Sequence, residues 1–280
     1  MAGAQEVNRS AVSPAEHTER VLASFGGDDA RLAEIIRAAV RHLHAFAEEV
    51  GLSREEWLAG IRFLTAVGQR CDEARQEFIL LSDTLGLSML LEMLAAPPAP
   101  GATEPTVLGP FYVNDAAEHE SGSSIVTSVD TGGSPLVVHG TVRDTAGRLI
   151  AGATVDVWQV QPDGRYDIET DPAARNLRAR LRTGADGGFR FRTVRPVDYT
   201  IPGDGPVGAM LRASGRHPWR PAHIHFMVNA ERHRPLVTHL FDAASPYLDS
   251  DAVFAVRPSL VTDMSGPECA VEFVLEPADP

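Results

Sequence analysis

Apolar spacing changes once along this 280-residue chain. It runs at intervals of three and four up to about residue 95 and alternates after residue 105. The first period belongs to helices and the second to strands, so one repeating architecture cannot accommodate both. The break is AAPPAPGATEP (95–105), where three prolines within four residues remove the amide donors a helix needs. A helical N-terminal domain with linker (1–105) followed by a sheet-rich domain (106–280) is the expected division.

Before the break, Ser13-Pro14-Ala15-Glu16 sets out an N-cap hydroxyl, a first-turn proline and a glutamate three residues on, and Ser53 with Glu56 repeats the spacing. Between them, Leu32, Ile35, Ile36, Ala39, Leu43, Phe46 and Val50 form one apolar stripe that Gly51 ends. The segment FILLSDTLGLSMLLEML (78–94) is apolar on nearly every side, which predicts burial either inside a monomer or at a subunit interface. After the break, 136–143, 153–160, 188–194, 222–228, 235–241 and 269–276 read as short strands. They are parted by turn sequences such as Thr145-Ala146-Gly147-Arg148, Pro162-Asp163-Gly164 and Ala185-Asp186-Gly187-Gly188. The fold class expected is α+β, with an antiparallel β-sandwich behind the helices.

A net charge of −13 argues against a nucleic-acid partner or an anionic membrane surface. Cys71 and Cys269 stand far apart in segments of different character, so a disulfide framework is not expected. The N-terminus lacks an apolar signal core, and no stretch reaches membrane-spanning length, which together read as a cytoplasmic chain.

The run RPAHIHF (220–226) carries the chemistry. On a strand, His223 and His225 point the same way while Ala222, Ile224 and Phe226 face the opposite side and can anchor the pair in a core. Taken alone, such a pair is equally at home on an open surface. Two of the four tyrosines sit nearby in kind: Tyr166 follows the turn PDGR, and Tyr199 lies in VRPVDYTIPGDGP, a loop ahead of the histidines. Each by itself reads as a half-buried loop tyrosine.

Together these segments resemble the intradiol ring-cleaving dioxygenases. The resemblance covers nearly the whole chain: the helical region, LGPFYV (108–113), GTVRDTAGRLIAGATVDVWQVQPDGRYD (140–167), the Tyr199 loop and GRHPWRPAHIHF (215–226). It implies a β-sandwich catalytic domain and an N-terminal helical dimerisation domain. It also implies one non-haem Fe(III) per subunit, held by Tyr166, Tyr199, His223 and His225. Phenolate is a hard anionic donor suited to a ferric ion, whereas zinc prefers imidazole, thiolate and carboxylate. By the same resemblance the substrates are dioxygen and an aromatic diol or triol, opened to a muconic acid between its hydroxylated carbons. Tyr199 doubles there as a base, and Arg220 stabilises charge building on the ring. The resemblance further implies a homodimer through the N-terminal helices and allows a phospholipid at that interface.

Substrate choice turns on the residues matching the family pocket: Leu80, Asp83, Val107, Leu108, Gly109, Pro110, Phe111, Ile201, Pro202 and Val253 or Phe254. The runs 77–86 and 238–256 look most like hydroxyquinol 1,2-dioxygenases, with catechol or chloro- and methylcatechol cleavage as the alternative. Asp83 is the telling residue, because a carboxylate in an apolar slot needs a partner. A third ring hydroxyl supplies one; an arginine or the helix break before Gly86 is the other candidate. Leu108 stands where a bulkier residue is common, which widens the pocket. His239 stands where catechol-cleaving members carry glutamine, as a donor beside the metal or as plain packing.

Two other classes compete. A transthyretin-like binding module would lack the helical region and would not need both tyrosines. A cupin-type metal site would add a carboxylate and a further histidine that have no place here.

Overall fold

The computed structural model describes residues 12–72, 75–95, 99–114, 116–129, 131–171 and 173–278. It comprises two compact units, residues 1–64 and 65–280, so the division by compactness and the change of sequence period at 105 fall at different places. Pro97 and Pro98 of the break lie outside the described residues.

The first unit holds helix α1 (Pro14–Ser24), helix α2 (Ala30–Glu49) and most of α3 (Arg54–Gln69). The Ser13/Glu16 capping box forms as read, and Ser53 and Glu56 exchange the same two bonds at 2.9 and 3.2 Å ahead of α3. Asp29 caps α2 through Leu32 N at 2.9 Å, a start the sequence reading did not mark. The α2 stripe forms, yet Leu32, Ile35, Leu43, Phe46 and Val50 are each about half exposed.

In the second unit, α4 (Glu77–Thr84) and α5 (Leu87–Leu94) meet at Gly86, whose φ of +74° is the left-handed turn that lets the chain change direction. The single chain by itself buries only part of the 78–94 segment. Leu80, Leu81 and Met89 are buried, but Phe78, Ile79, Leu85, Leu87, Leu90, Leu91, Met93 and Leu94 are exposed in the single chain. A helix apolar all round can bury only the face turned towards its own core.

The sheets follow: β1 (Pro135–Asp144), β2 (Thr154–Trp158), α6 (Asp167–Thr170), β3 (Arg178–Arg182), β4 (Gly188–Val194), β5 (Tyr199–Thr200), α7 (Pro206–Ala213), β6 (Trp219–Arg220), β7 (His223–Asn229), β8 (Leu236–Asp242), β9 (Val261–Thr262) and β10 (Glu268–Leu275). A three-stranded sheet, β10-β1-β4, faces a five-stranded sheet, β3-β2-β7-β8-β9, and β5 pairs with β6 apart from both. The core between the two sheets is built from alternate residues: Val138, Phe189, Phe191 and Phe273 from one, and Val155, Val157, Leu181, Ile224, Phe226 and Val228 from the other. Two pairings depart from the antiparallel expectation, since β1–β10 and β8–β9 are parallel. Both join strands separated by long excursions, so no hairpin forces an antiparallel return.

Strand β3, RARLR, escaped the sequence reading because its arginines mimic a solvated segment; Arg178 and Arg180 instead meet Asp167 and Asp156. In central strand β1, a Cβ on Gly140 would stand 2.2 Å from Val271 O and 2.7 Å from Val271 Cγ1 on β10. Gly140→Ala should therefore push these strands apart and lower stability by about 1–3 kcal/mol, measured as a drop in the urea midpoint with the slope unchanged.

Candidate metal and catalytic site

Strand alternation decides which groups can meet. Ile224, Phe226 and Val228 of β7 enter the core, so His223 and His225 emerge on the other face of the five-stranded sheet. There the register places Arg178 opposite Trp158, Trp158 opposite His225, and His225 opposite His239, forming one row across four strands. The rings of Trp158 and His225 stack at 4.7 Å, and those of His225 and His239 approach to 4.0 Å. Within this row Trp158 Nε1, Arg178 Nη1, His225 Nδ1 and His239 Nε2 are buried and make no hydrogen bond among the described residues.

Tyr166 reaches this row from the turn ahead of α6, and Tyr199 from the short strand β5. The turn Gln161–Arg165, closed by Gln161 N to Arg165 O at 2.8 Å, delivers Tyr166, whose amide donates to Glu169 Oε2 at 2.8 Å. The next residue, Asp167, accepts from Arg178 Nε and Nη2 at 2.9 and 2.6 Å, and the same guanidinium donates to Phe111 O at 3.0 Å. Phe111 then stacks on Tyr166 at 4.4 Å. Tyr199 lies directly across from Arg220 in the β5–β6 pair, and the adjacent Asp198 accepts from Ala222 N at 2.8 Å.

The donors converge. Tyr166 Oη lies 2.9 Å from His225 Nε2 and 3.2 Å from Tyr199 Oη, and the two histidine Nε2 atoms are 3.1 Å apart. Arg220 Nη1 donates to Tyr199 Oη at 3.2 Å and lies 3.3 Å from His223 Nε2. His223 Nδ1 sits 2.7 Å from Pro221 O; a carbonyl only accepts, so the proton is on Nδ1 and Nε2 offers a lone pair. His223, His225 and His239 each bring a ring nitrogen within 4.8 Å of the others, a group able to hold a metal ion.

Burial dominates the electrostatics of these groups. It holds all three imidazoles well below the ordinary histidine range, with Arg220 adding to the effect, so they are neutral donors at pH 7. Burial likewise raises the phenols of Tyr166 and Tyr199, an effect Arg220 opposes at both. A bound cation would reverse that direction and favour phenolates. Burial alone would lower the pKa of Arg220, but Asp251 and the tyrosines outweigh it and keep the guanidinium charged.

The other sequence candidates divide. Leu80, Asp83, Val107, Ile201 and Val253 are buried. A Cβ on Gly109 would meet His225 Cε1 at 3.5 Å, so the LGPF loop passes close to the histidines. Ile201 and Pro202 line a cleft with Tyr199 and Trp219. Pro110 is partly buried. Leu108 and Phe254 are 37% and 53% exposed, so they face outward in the single chain. Asp83 forms no ion pair among the described residues; burial raises its carboxyl, which Ser88, just past the helix break at Gly86, and the Arg220 charge both oppose. His239 is engaged at Nδ1 by the buried Thr106 hydroxyl. Thr106, Asp167, Asp198 and Asp251 were not legible as site residues, since each acts through a partner distant in sequence.

Two family models match: "Catechol dioxygenase N terminus" over residues 29–103 and "Dioxygenase" over 107–277. The chain belongs to the intradiol ring-cleaving dioxygenase family. It is 50% identical to a 6-chlorohydroxyquinol 1,2-dioxygenase of Cupriavidus pinatubonensis, covering 88% of this chain and 89% of the relative. It is 48% identical to a hydroxyquinol 1,2-dioxygenase of a Rhizobium species, covering 87% and 82%. The crystal structure of hydroxyquinol 1,2-dioxygenase from Pseudomonas putida superposes with a TM-score of 0.86 at 45% identity, covering 94% of this dioxygenase and 98% of that chain. The family uses non-haem iron. The buried phenol and imidazole donors of this dioxygenase fit such an ion in type and in proximity. No helix among the described residues is long and apolar enough to cross a membrane.

The Arg178–Asp167 pair is 1% exposed at both ends and holds the backbone on either side of the Tyr166–Phe111 stack. Asp167→Ala would strand the guanidinium in the interior, a loss of roughly 3–5 kcal/mol that guanidinium-chloride unfolding should register.

Proposed function

We propose that this dioxygenase cleaves hydroxyquinol, 1,2,4-trihydroxybenzene, between its adjacent hydroxylated carbons, incorporating both atoms of dioxygen to give 3-hydroxy-cis,cis-muconate and its tautomer maleylacetate. Tyr166, Tyr199, His223 and His225 would hold one Fe(III) per subunit; their convergence within 3.2 Å contacts is the observation that carries the reading. When bound, the ion supplies Lewis acidity that favours the substrate as its dianion.

The chain's own groups account for the rest. Tyr199 Oη, bonded to Arg220 and to Tyr166, is placed to take a proton from an incoming hydroxyl once it is a phenolate. Arg220 is buried and fixed, so its charge can face the ring in a low-dielectric site without reorganising. His239 offers an uncommitted Nε2 to the same space. Leu80, Val107, Gly109, Pro110, Phe111, Ile201, Pro202 and Val253 would form the apolar slot, with Leu108 and Phe254 at its rim. Asp83, buried with no ion pair among the described residues, would meet the third hydroxyl; the names of the relatives above support this substrate.

The exposed apolar residues of α2, α4 and α5 support a homodimer through the helical region and are compatible with a phospholipid there.

Oxygen uptake by the iron-loaded protein tests the substrate. Hydroxyquinol should exceed catechol in kcat/KM, by up to roughly 10⁴-fold, and Asp83→Ala should narrow the ratio; faster catechol turnover would overturn the assignment while keeping the intradiol reaction. Metal analysis tests the ligand set: Tyr166→Phe should purify folded with iron content well below one per chain, and full occupancy would remove Tyr166 from it.

A further inference from the structure

Two buried carboxylates, Asp83 and Asp251, lie within the field of a single buried guanidinium, Arg220, and only one of them pairs with it. Asp251 takes both sides of the guanidinium, with Oδ1 3.1 Å from Nε and Oδ2 3.4 Å from Nη2. Its remaining capacity goes to its own loop: Oδ1 accepts from Val253 N at 3.3 Å and Oδ2 from Ala255 N at 3.0 Å. One side chain thus holds both Arg220 and the turn that presents Val253.

The neighbouring contacts keep this arrangement from relaxing. Ala252 N donates to Trp219 O at 3.1 Å, tying the turn to the strand that carries Arg220. Arg216 donates to Ala252 O at 2.8 Å and to Thr84 O, beside Asp83, and lies 4.7 Å over the Phe254 ring. Phe254 itself is held at φ +59°, a backbone conformation costly for a bulky residue and tolerated because its neighbours fix it.

We propose that Asp251 is a positioning residue that sets substrate preference: by occupying Arg220 it leaves the Asp83 carboxyl outside an ion pair, with acceptor capacity beyond Ser88 for the hydroxyl that distinguishes a triol from a diol. This rests on the substrate reading above. Without the Asp251 charge, the buried Asp83 carboxyl still lies in the field of Arg220, and Arg216 already ties the Thr84 and Ala252 carbonyls beside the two aspartates together. Drawn to the Arg220 guanidinium, Asp83 would meet hydroxyquinol with its acceptor capacity already used. Catechol, which has no third hydroxyl, would lose only what Arg220 loses.

The test compares the iron-loaded wild type with Asp251→Asn, reading the ratio of kcat/KM for hydroxyquinol over catechol and the anaerobic dissociation constant of each by calorimetry. The ratio should fall about tenfold, through weaker hydroxyquinol binding at unchanged iron content. In an Asp83→Asn background the same substitution should leave the ratio where it is. Asp251→Glu, which keeps the charge, should retain the preference even if turnover drops, and it decides alone if the asparagine variant does not fold. Equal losses for both substrates in Asp251→Asn, or loss of preference in folded Asp251→Glu, would overturn the proposal. A wild type with no preference for hydroxyquinol would instead sink the substrate reading, before any variant is made.

Discussion

Desolvation of neutral imidazoles on the outer face of a β-sheet is the constraint on which the site depends. β7 can carry His223 and His225 only because its alternate residues Ile224, Phe226 and Val228 fill the core between the sheets. The outer face is then covered by Tyr166, Tyr199 and the LGPF loop, and covering it removes water from His223, His225 and His239. Imidazole tolerates this in its neutral form, which is also the form that donates a lone pair. Phenol tolerates it as the neutral acid until a cation arrives. Burial therefore prepares the donors for a positive charge before one is bound.

Buried ion pairs frame that face. Arg178–Asp167 and Arg220–Asp251 each join a strand of the sheet or its short neighbour to another segment of the site layer, and the part-exposed Arg180 pairs with buried Asp156 across β3 and β2. Such pairs recover little net stability once desolvation is counted, but removing one partner is expensive. Their effect here is positional. Asp167 locates Tyr166 and Phe111 against β3, Asp156 also accepts from Tyr112 at 3.0 Å, and Asp251 locates Arg220 and the Val253 turn. Glu77 does the same for α4, accepting from Arg75 at 2.9 Å and from Val207 N of α7 at 3.2 Å, which fixes the helix that bears Leu80 and Asp83.

The helical region poses the opposite problem. Its apolar residues outnumber what one chain can cover, and those left exposed on α2, α4 and α5 are too many to be incidental. The catalytic unit hides polar groups at some cost, whereas the helices leave apolar surface uncovered, which is where an association surface is to be sought.

Short-range patterns were legible in the sequence. The caps at Ser13 and Ser53, the α2 stripe with its stop at Gly51, six of the strands and the like-facing pair His223/His225 all follow from spacing within a few residues, where backbone geometry alone sets direction. Tyr166, Tyr199, Arg220 and Asp83 were singled out by resemblance, not by spacing. Strand β3 was missed because its arginines carry no sign that aspartates 11 and 24 residues away will bury them. The partners of the site, Thr106 for His239 and Asp251 for Arg220, lie 133 and 31 residues from the groups they hold. Sequence by itself determined the two periods, the strand that presents the histidines and the chemistry of the donors. Only the tertiary structure decided which charges are paired and which are left free, because a carboxylate's partner is set by distance and desolvation in three dimensions, and neither is written in local spacing.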